Sequence, residues 1–227
     1  MTLGSEFWAG IIGAVVGASV GGFISFLIQR NNIKEARKER IDSEKKVEET
    51  LARILAVKTL RIFSNNSFLS SHIEECYLNV PANSHDNPFS FILPLTSMPD
   101  KIKFSAEEVS LIFSLKNDNL TNMMLSLAEC HNSLSDSFAL YGKKRDKFFH
   151  QMPAEMQGNV GTTYMDEEER KKREPQMVVM NNLINQIREM AERYTKTSEK
   201  ALNLLNKLLD EQKGMKLKIE LKEETIS

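Results

Sequence analysis

The sequence LTNMMLSLAECHNSLSDSFALYGKKRDKF, residues 120–148, decides the fold because its apolar residues recur at intervals of three and four. This spacing places them on one face of a long α-helix, which must pack against another element along its whole length. The stripe consists of Leu120, Met123, Met124, Leu127, His131, Leu134, Phe138, Tyr141 and Phe148. It predicts one long helix of a helical bundle.

A second stripe of the same kind follows Pro175, and Gly214 is placed to end the helix that carries it. Its members are Met177, Met180, Leu183, Ile184, Ile187, Met190, Ala191, Tyr194, Ala201, Leu202, Leu205, Leu208 and Leu209. Two apolar faces of this length are expected to pack antiparallel on each other. We therefore predict a mainly α fold, with a helical bundle over residues 64–213.

Two segments of the bundle are predicted to be irregular. Residues 81–104 include four of the six prolines, which predicts an extended strap over the helices, or less favourably a single edge strand. Residues 151–175 are polar and predict an exposed loop with a helical fragment. Between these segments, Ser105 and Glu108 form a capping box at the start of a helix.

Upstream, residues 30–63 form a charged helical stalk that enters the bundle, and Ser64, Asn65 and Asn66 are expected to break it. A short helix would follow that break. Residues 214–227 form a tail in which Met215, Leu217, Ile219 and Leu221 alternate with polar residues. This tail is expected to be a frayed helix end or a disordered segment. The alternative is a strand, which could pair with the strap or with the sheet edge of a partner.

Near the N-terminus, FWAGIIGAVVGASVGGFISFLI, residues 7–28, contains no charge over 22 residues. As a helix it would be about 33 Å long, which matches the hydrocarbon core of a bilayer. Residues 1–29 therefore predict a single transmembrane helix, with Trp8 and Arg30 at its two interfaces. A buried core helix and a cleavable signal peptide are the alternatives.

Basic residues after this helix predict its orientation. They are Arg30, Lys34, Arg37, Lys38, Arg40, Lys45 and Lys46, whereas Glu6 is the one charged side chain before the helix. Because basic residues near a span stay on the cytoplasmic side, we expect the N-terminus outside the cell membrane, inner or plasma, and the helical body in the cytoplasm.

Within the predicted span, Gly13, Gly17 and Gly21 recur every four residues. Glycines at this spacing let two helices approach closely in a membrane, where dispersion rather than the hydrophobic effect drives packing. They predict a homo-oligomer that associates through this face. The alternative is that glycine is simply common in membrane helices.

No catalytic motif is recognisable in the sequence, so we expect no enzyme activity and no cofactor. His72, Cys76, Cys130 and His131 are of the residue types that bind zinc, but neighbours on a helix point about 100° apart, so Cys130 and His131 would not both bind one ion. They are better explained as core residues. The methionines of the two stripes are likewise better explained as core than as an adaptable binding groove.

The near balance of 30 basic and 31 acidic residues argues against nucleic-acid binding. The expected function is a membrane-anchored, oligomeric scaffold whose cytoplasmic body binds a protein, with the lipid bilayer and itself as further partners. A membrane-perturbing effector or channel subunit assembled through the glycines is the alternative. An enzyme that uses His72 or His131 is the third hypothesis.

Overall fold

The computed structural model describes residues 4–78, 87–152, 154–157, 160–163 and 165–216. Side chains are not described for residues 5–9, 11, 12, 15, 19, 20, 154–157 and 160–163. The elements are α1 (Ser5–Leu78), a 3₁₀ turn (Pro88–Ser90), α2 (Ala106–Ser114), α3 (Asp118–His150), β1 (Ala154–Gln157), β2 (Val160–Thr163) and α4 (Glu167–Lys213). The chain forms two compact units, Met1–Thr50 and Leu51–Ser227, and the boundary lies within α1.

The second unit is a helical bundle, as predicted. One apolar cluster joins Leu55 and Ile62 of α1 to Leu120 and Met124 of α3 and to Leu205 and Leu209 of α4. The other joins Leu69 and Ile73 of α1 to Phe138 and Tyr141 of α3 and to Ile184 and Ile187 of α4. Since the numbers rise together in α1 and α3 and fall in α4, α4 runs antiparallel to both.

The predicted break at Ser64, Asn65 and Asn66 is wrong, because α1 is continuous to Leu78. Asn66 is fully buried, and its side-chain oxygen lies 2.9 Å from Nδ1 of His131 on α3. Asparagine costs an α-helix less than about 1 kcal/mol relative to alanine, so one buried tertiary contact outweighs its preference for turns. The predicted short helix is therefore the end of α1.

The predicted loop 151–175 contains a β-hairpin, and the helical fragment predicted within it is the start of α4. β1 and β2 form an antiparallel hairpin, and α4 begins at Glu167, so Pro175 lies inside the helix. A proline there removes one backbone hydrogen bond at a cost of about 3 kcal/mol. The preceding turns are stabilised by Asp166, which caps Glu169 N at 2.7 Å, and by Arg173, whose Nη2 donates to the Gln151 carbonyl at 3.0 Å.

Residues 87–104 form the strap, which contains the 3₁₀ turn and no strand. Its apolar residues Phe89, Ile92 and Ile102 are buried against the bundle. At Gly142 of α3, an added Cβ would lie 3.0 Å from the Pro94 side chain of the strap. Glycine therefore allows this close crossing, and an added Cβ would require the strap to shift by a few tenths of an ångström.

Side chains of the helices supply the strap with the hydrogen bonds that a neighbouring strand would otherwise provide. The Tyr141 hydroxyl lies 2.9 Å from the carbonyl of Phe89 and 2.7 Å from that of Ile92. The Asn132 amide both accepts from Ile102 N and donates to Ile102 O. Since buried backbone groups need partners, these bonds fix the strap to α3.

The start of α2 and the end of α4 are capped as the sequence predicts. At α2, Ser105 Oγ accepts from Glu108 N, and Glu108 Oε2 accepts from Ser105 N at 2.7 Å. The buried Glu108 carboxylate also contacts Lys58 of α1 at 2.8 Å. Gly214 ends α4 in the left-handed conformation, at φ 63°.

We expect Tyr141→Phe to lower the free energy of unfolding by about 1–3 kcal/mol, because the buried Ile92 carbonyl loses its donor and the Phe89 carbonyl keeps only Arg145 Nε, while the ring volume is kept. Urea denaturation followed by circular dichroism measures the change. Tyr194→Phe is the matched control, since the half-buried Tyr194 hydroxyl contacts Arg193 and Cys130 and makes no hydrogen bond to the strap. Equal stability of the two variants would contradict a role for Tyr141 in holding the strap.

Candidate functional site

The predicted association face, Gly13, Gly17 and Gly21, lies on α1 in the first unit, and all three glycines are exposed. A Cβ added at any of them would meet no atom within 4 Å. A smooth strip of backbone is therefore open along this part of the helix, with space for another helix to approach it.

Large apolar side chains are exposed on the same part of α1. Phe23 is 63% exposed and Phe26 59%, and Val16, Ile24, Leu27 and Ile28 are exposed as well. Single exposed apolar residues are ordinary on proteins, but a contiguous set marks a surface that something else covers. Arg30, at the predicted inner interface, is exposed, whereas the side chain of Trp8 lies outside those described.

Among the residues that the structure describes, no helix is long and apolar enough to cross a membrane. Eight residues of the run 7–28 have side chains outside that set.

His72, His131, Cys76 and Cys130 take part in packing or hydrogen bonds. His72 Nε2 lies 2.8 Å from the Leu93 carbonyl of the strap, and its ring packs against Phe68 and Phe138. Cys76 and Cys130 are free thiols, each half-buried. No three His, Cys, Asp or Glu residues of the described part of the chain are arranged to hold a metal ion.

His131 is fully buried between the two apolar clusters. Its Nδ1 lies 2.9 Å from the Asn66 side chain and its Nε2 lies 3.4 Å from the Asp100 carbonyl. Burial lowers the pKa of His131, with a smaller opposing effect from the Asp100 carbonyl, so the ring is neutral at pH 7. It joins α1, α3 and the strap.

A neutral ring has one N–H, yet the Asn66 oxygen and the Asp100 carbonyl are both acceptors. The amide of an asparagine can be turned by 180° with little change in shape. Turned in this way, Asn66 Nδ2 donates to His131 Nδ1, and His131 Nε2 donates to Asp100. This orientation also gives a partner to Asn66 Nδ2, which otherwise has none.

The methionines and the tail give no exposed binding surface among the described residues. Met124, Met177 and Met180 are buried in the bundle. Met215 is also buried, against the apolar cluster that contains Leu209, and its amide bonds the Leu209 carbonyl. Leu217, Ile219 and Leu221, which complete the predicted partner-binding strand, lie outside the described residues.

One surface groove was not predicted from the sequence. It lies between α3 and α4, has a volume of about 470 Å³, and is formed by Lys144, Lys147 and Phe148 of α3 with Pro175, Val179 and Met180 of α4. We name this surface the α3–α4 groove. The residues are far apart in sequence, and only the spacing of Lys144 and Lys147, three apart on one helix face, could have pointed to it.

Because the pKa of His131 is lowered in the folded protein, folding disfavours its protonation. Its contribution to stability is present in full above the unfolded pKa of about 6.5 and is lost as the pH falls from there toward the folded pKa. We expect the free energy of unfolding to fall between pH 7.5 and 5.5, by at most about 1.4 kcal/mol per pH unit.

Urea denaturation at several pH values measures this slope. His131→Gln should reduce the slope, and His150→Gln, at an exposed histidine of α3, should retain it. A slope that is the same in the parent and in His131→Gln would show that other groups cause the pH dependence.

Comparison of the chain with protein-family models, with curated proteins and with solved structures finds no match among them.

Proposed function

We propose that the chain is a single-pass membrane protein that self-associates through Gly13, Gly17 and Gly21 and presents a helical body that binds a protein partner in the cytoplasm. The observation that carries this proposal is the uncharged run 7–28, which is followed directly by a basic segment. The helical fold of the second unit supports the helical body.

The exposed apolar side chains of this run favour a location in lipid. Fully burying a Leu, Ile, Phe or Val side chain is favourable by about 1.5–3 kcal/mol. Val16, Phe23, Ile24, Phe26 and Ile28 are each more than half exposed. A bilayer would cover them all at once, because the uncharged run is as long as the hydrocarbon core is thick.

The open glycine strip supports self-association of these helices. Lipid tails are as apolar as leucine, so two spans gain by packing only where their backbones approach closely. The absence of any atom within 4 Å of a Cβ at Gly13, Gly17 or Gly21 means that nothing else in the described chain occupies that space.

The body supports a binding role rather than a catalytic one. Its buried histidine, His131, is neutral and engaged with Asn66 and Asp100, and His72 contacts a strap carbonyl. Neither histidine lines the α3–α4 groove, where a catalytic acid or base would have to meet a substrate.

Cysteine crosslinking of the full-length protein in native membranes tests the proposal. Single cysteines replace Gly13, Gly17 and Gly21 in a chain in which Cys76 and Cys130 are changed to alanine. Phe26→Cys is the control, because Phe26 lies on the opposite side of the helix. We expect crosslinked dimers at the three glycine positions and few at Phe26.

Adding Gly17→Leu should lower crosslinking at Gly13 and Gly21 about tenfold, because the leucine side chain blocks the close backbone approach by which spans pack. Equal crosslinking on both sides of the helix would contradict the glycine interface. Release of the chain from membranes by alkaline carbonate would contradict the anchor itself. An ion leak that is lost in Gly17→Leu would favour the alternative function, a channel subunit that assembles through the glycines.

A further inference from the structure

We propose that the α3–α4 groove binds an acidic amphipathic helix of a partner protein, with its carboxylates at Lys144 and Lys147 and its apolar residues at Val179. This inference rests on the proposed function, because it identifies where the helical body holds its partner and by what chemistry. Its test is separate from the test of the membrane anchor.

The first step is that the groove is open, since no described element covers it. Asn181 and Val179 flank Met180 in sequence, so at about 100° per residue they point to opposite sides of the buried stripe of α4. Asn181 binds the strap, with its side-chain oxygen 3.2 Å from Phe89 N. Val179 therefore faces away from the strap, and its side chain is 52% exposed.

The second step is the charge of the rim. Lys144 and Lys147 are exposed and are the charged residues that line the groove. Within the described chain neither makes a hydrogen bond or an ion pair, whereas nearby Arg145 donates to the carbonyls of Phe89 and Ser90. The groove therefore offers two unpaired positive charges and no acid, which favours an acidic partner.

The third step is the shape and polarity of the groove. The floor is apolar, with Phe148 and Met180 almost fully buried, and the α4 side of the rim carries Pro175 and Val179 with the uncharged Gln176. Basic residues on one side and mainly apolar, uncharged residues on the other match a helix with acidic and apolar faces. Lys144 and Lys147 are one turn apart, as are carboxylates at positions i and i+3 or i+4 of such a helix.

The occupant is not the tail of the same chain. Residues 217–227 follow the end of α4 at Lys213, whereas the groove lies near Val179. More than 30 helical residues separate the two, which is about 50 Å at 1.5 Å per residue. Eleven residues, even fully extended, span about 36–40 Å.

The test uses the full chain in vesicles of zwitterionic phospholipid and two fluorescent helical peptides of about 15 residues. One carries leucines on one face and glutamates beside them, and the other has lysine in place of each glutamate. Fluorescence anisotropy measures binding. We expect the glutamate peptide to bind at least about tenfold more tightly than the lysine peptide.

Matched variants separate the groove from a general charge effect. Lys144→Glu with Lys147→Glu should reverse the preference between the two peptides, whereas Lys143→Glu, at an exposed lysine outside the groove, should keep it. Val179→Asp should weaken binding of the glutamate peptide about tenfold. Val178→Asp, at a neighbouring residue that is 49% exposed, should leave this binding unchanged.

Equal binding of the two peptides, or equal effects of the groove variants and their neighbours, would overturn the proposal. Binding of dodecanoate at Val179 without binding of either peptide would assign the groove to a small amphiphile and would also overturn it. Self-association of the chain that is abolished by Lys144→Glu with Lys147→Glu would likewise overturn the proposal, because the groove would then bind a second copy. If the membrane anchor is wrong, the chain will not be found in the vesicles, and this result is independent of peptide binding.

Discussion

The strap, residues 87–104, has no neighbouring strand among the described residues, and the need to satisfy its backbone constrains the whole bundle. Tyr141, Asn132, His72 and Asn181 each give the strap a hydrogen bond from a different place on three helices. These bonds form together only when each helix is turned correctly about its axis. Helices that pack only through apolar stripes can rotate somewhat about their axes. The hydrogen bonds to the strap therefore restrict the bundle to one set of helix orientations.

The buried polar pair of His131 and Asn66 has a comparable effect along the helix axes. It lies between two apolar clusters, one around Leu120 and Leu205 and the other around Phe138 and Ile184. A slide of one helix by a turn would keep leucine against leucine but would leave this histidine without its partner. A buried polar contact of this kind costs some stability and specifies the register.

Local periodicity predicted the long helices and the Ser105 and Gly214 caps, because each of these signals lies within a few neighbouring residues. The errors have distant causes. Asn66 lies within a helix because its side chain bonds His131, which is 65 residues away in the sequence. Pro175 lies within a helix that is held by a hydrogen bond from Arg173 to Gln151, at the end of α3. The repeat of Gly13, Gly17 and Gly21 is visible in the sequence, whereas the α3–α4 groove combines residues of two helices and depends on how those helices pack.

The crossing of Gly142 and Pro94 has a consequence for how the sequence can change over evolution. A side chain at 142 would meet the Pro94 ring at 3.0 Å, so even an alanine there requires the proline to shift by a few tenths of an ångström. Loss of the proline alone would leave a gap, and gain of a side chain alone would push the strap outward. The two positions are therefore expected to change as a pair in descendants of this sequence.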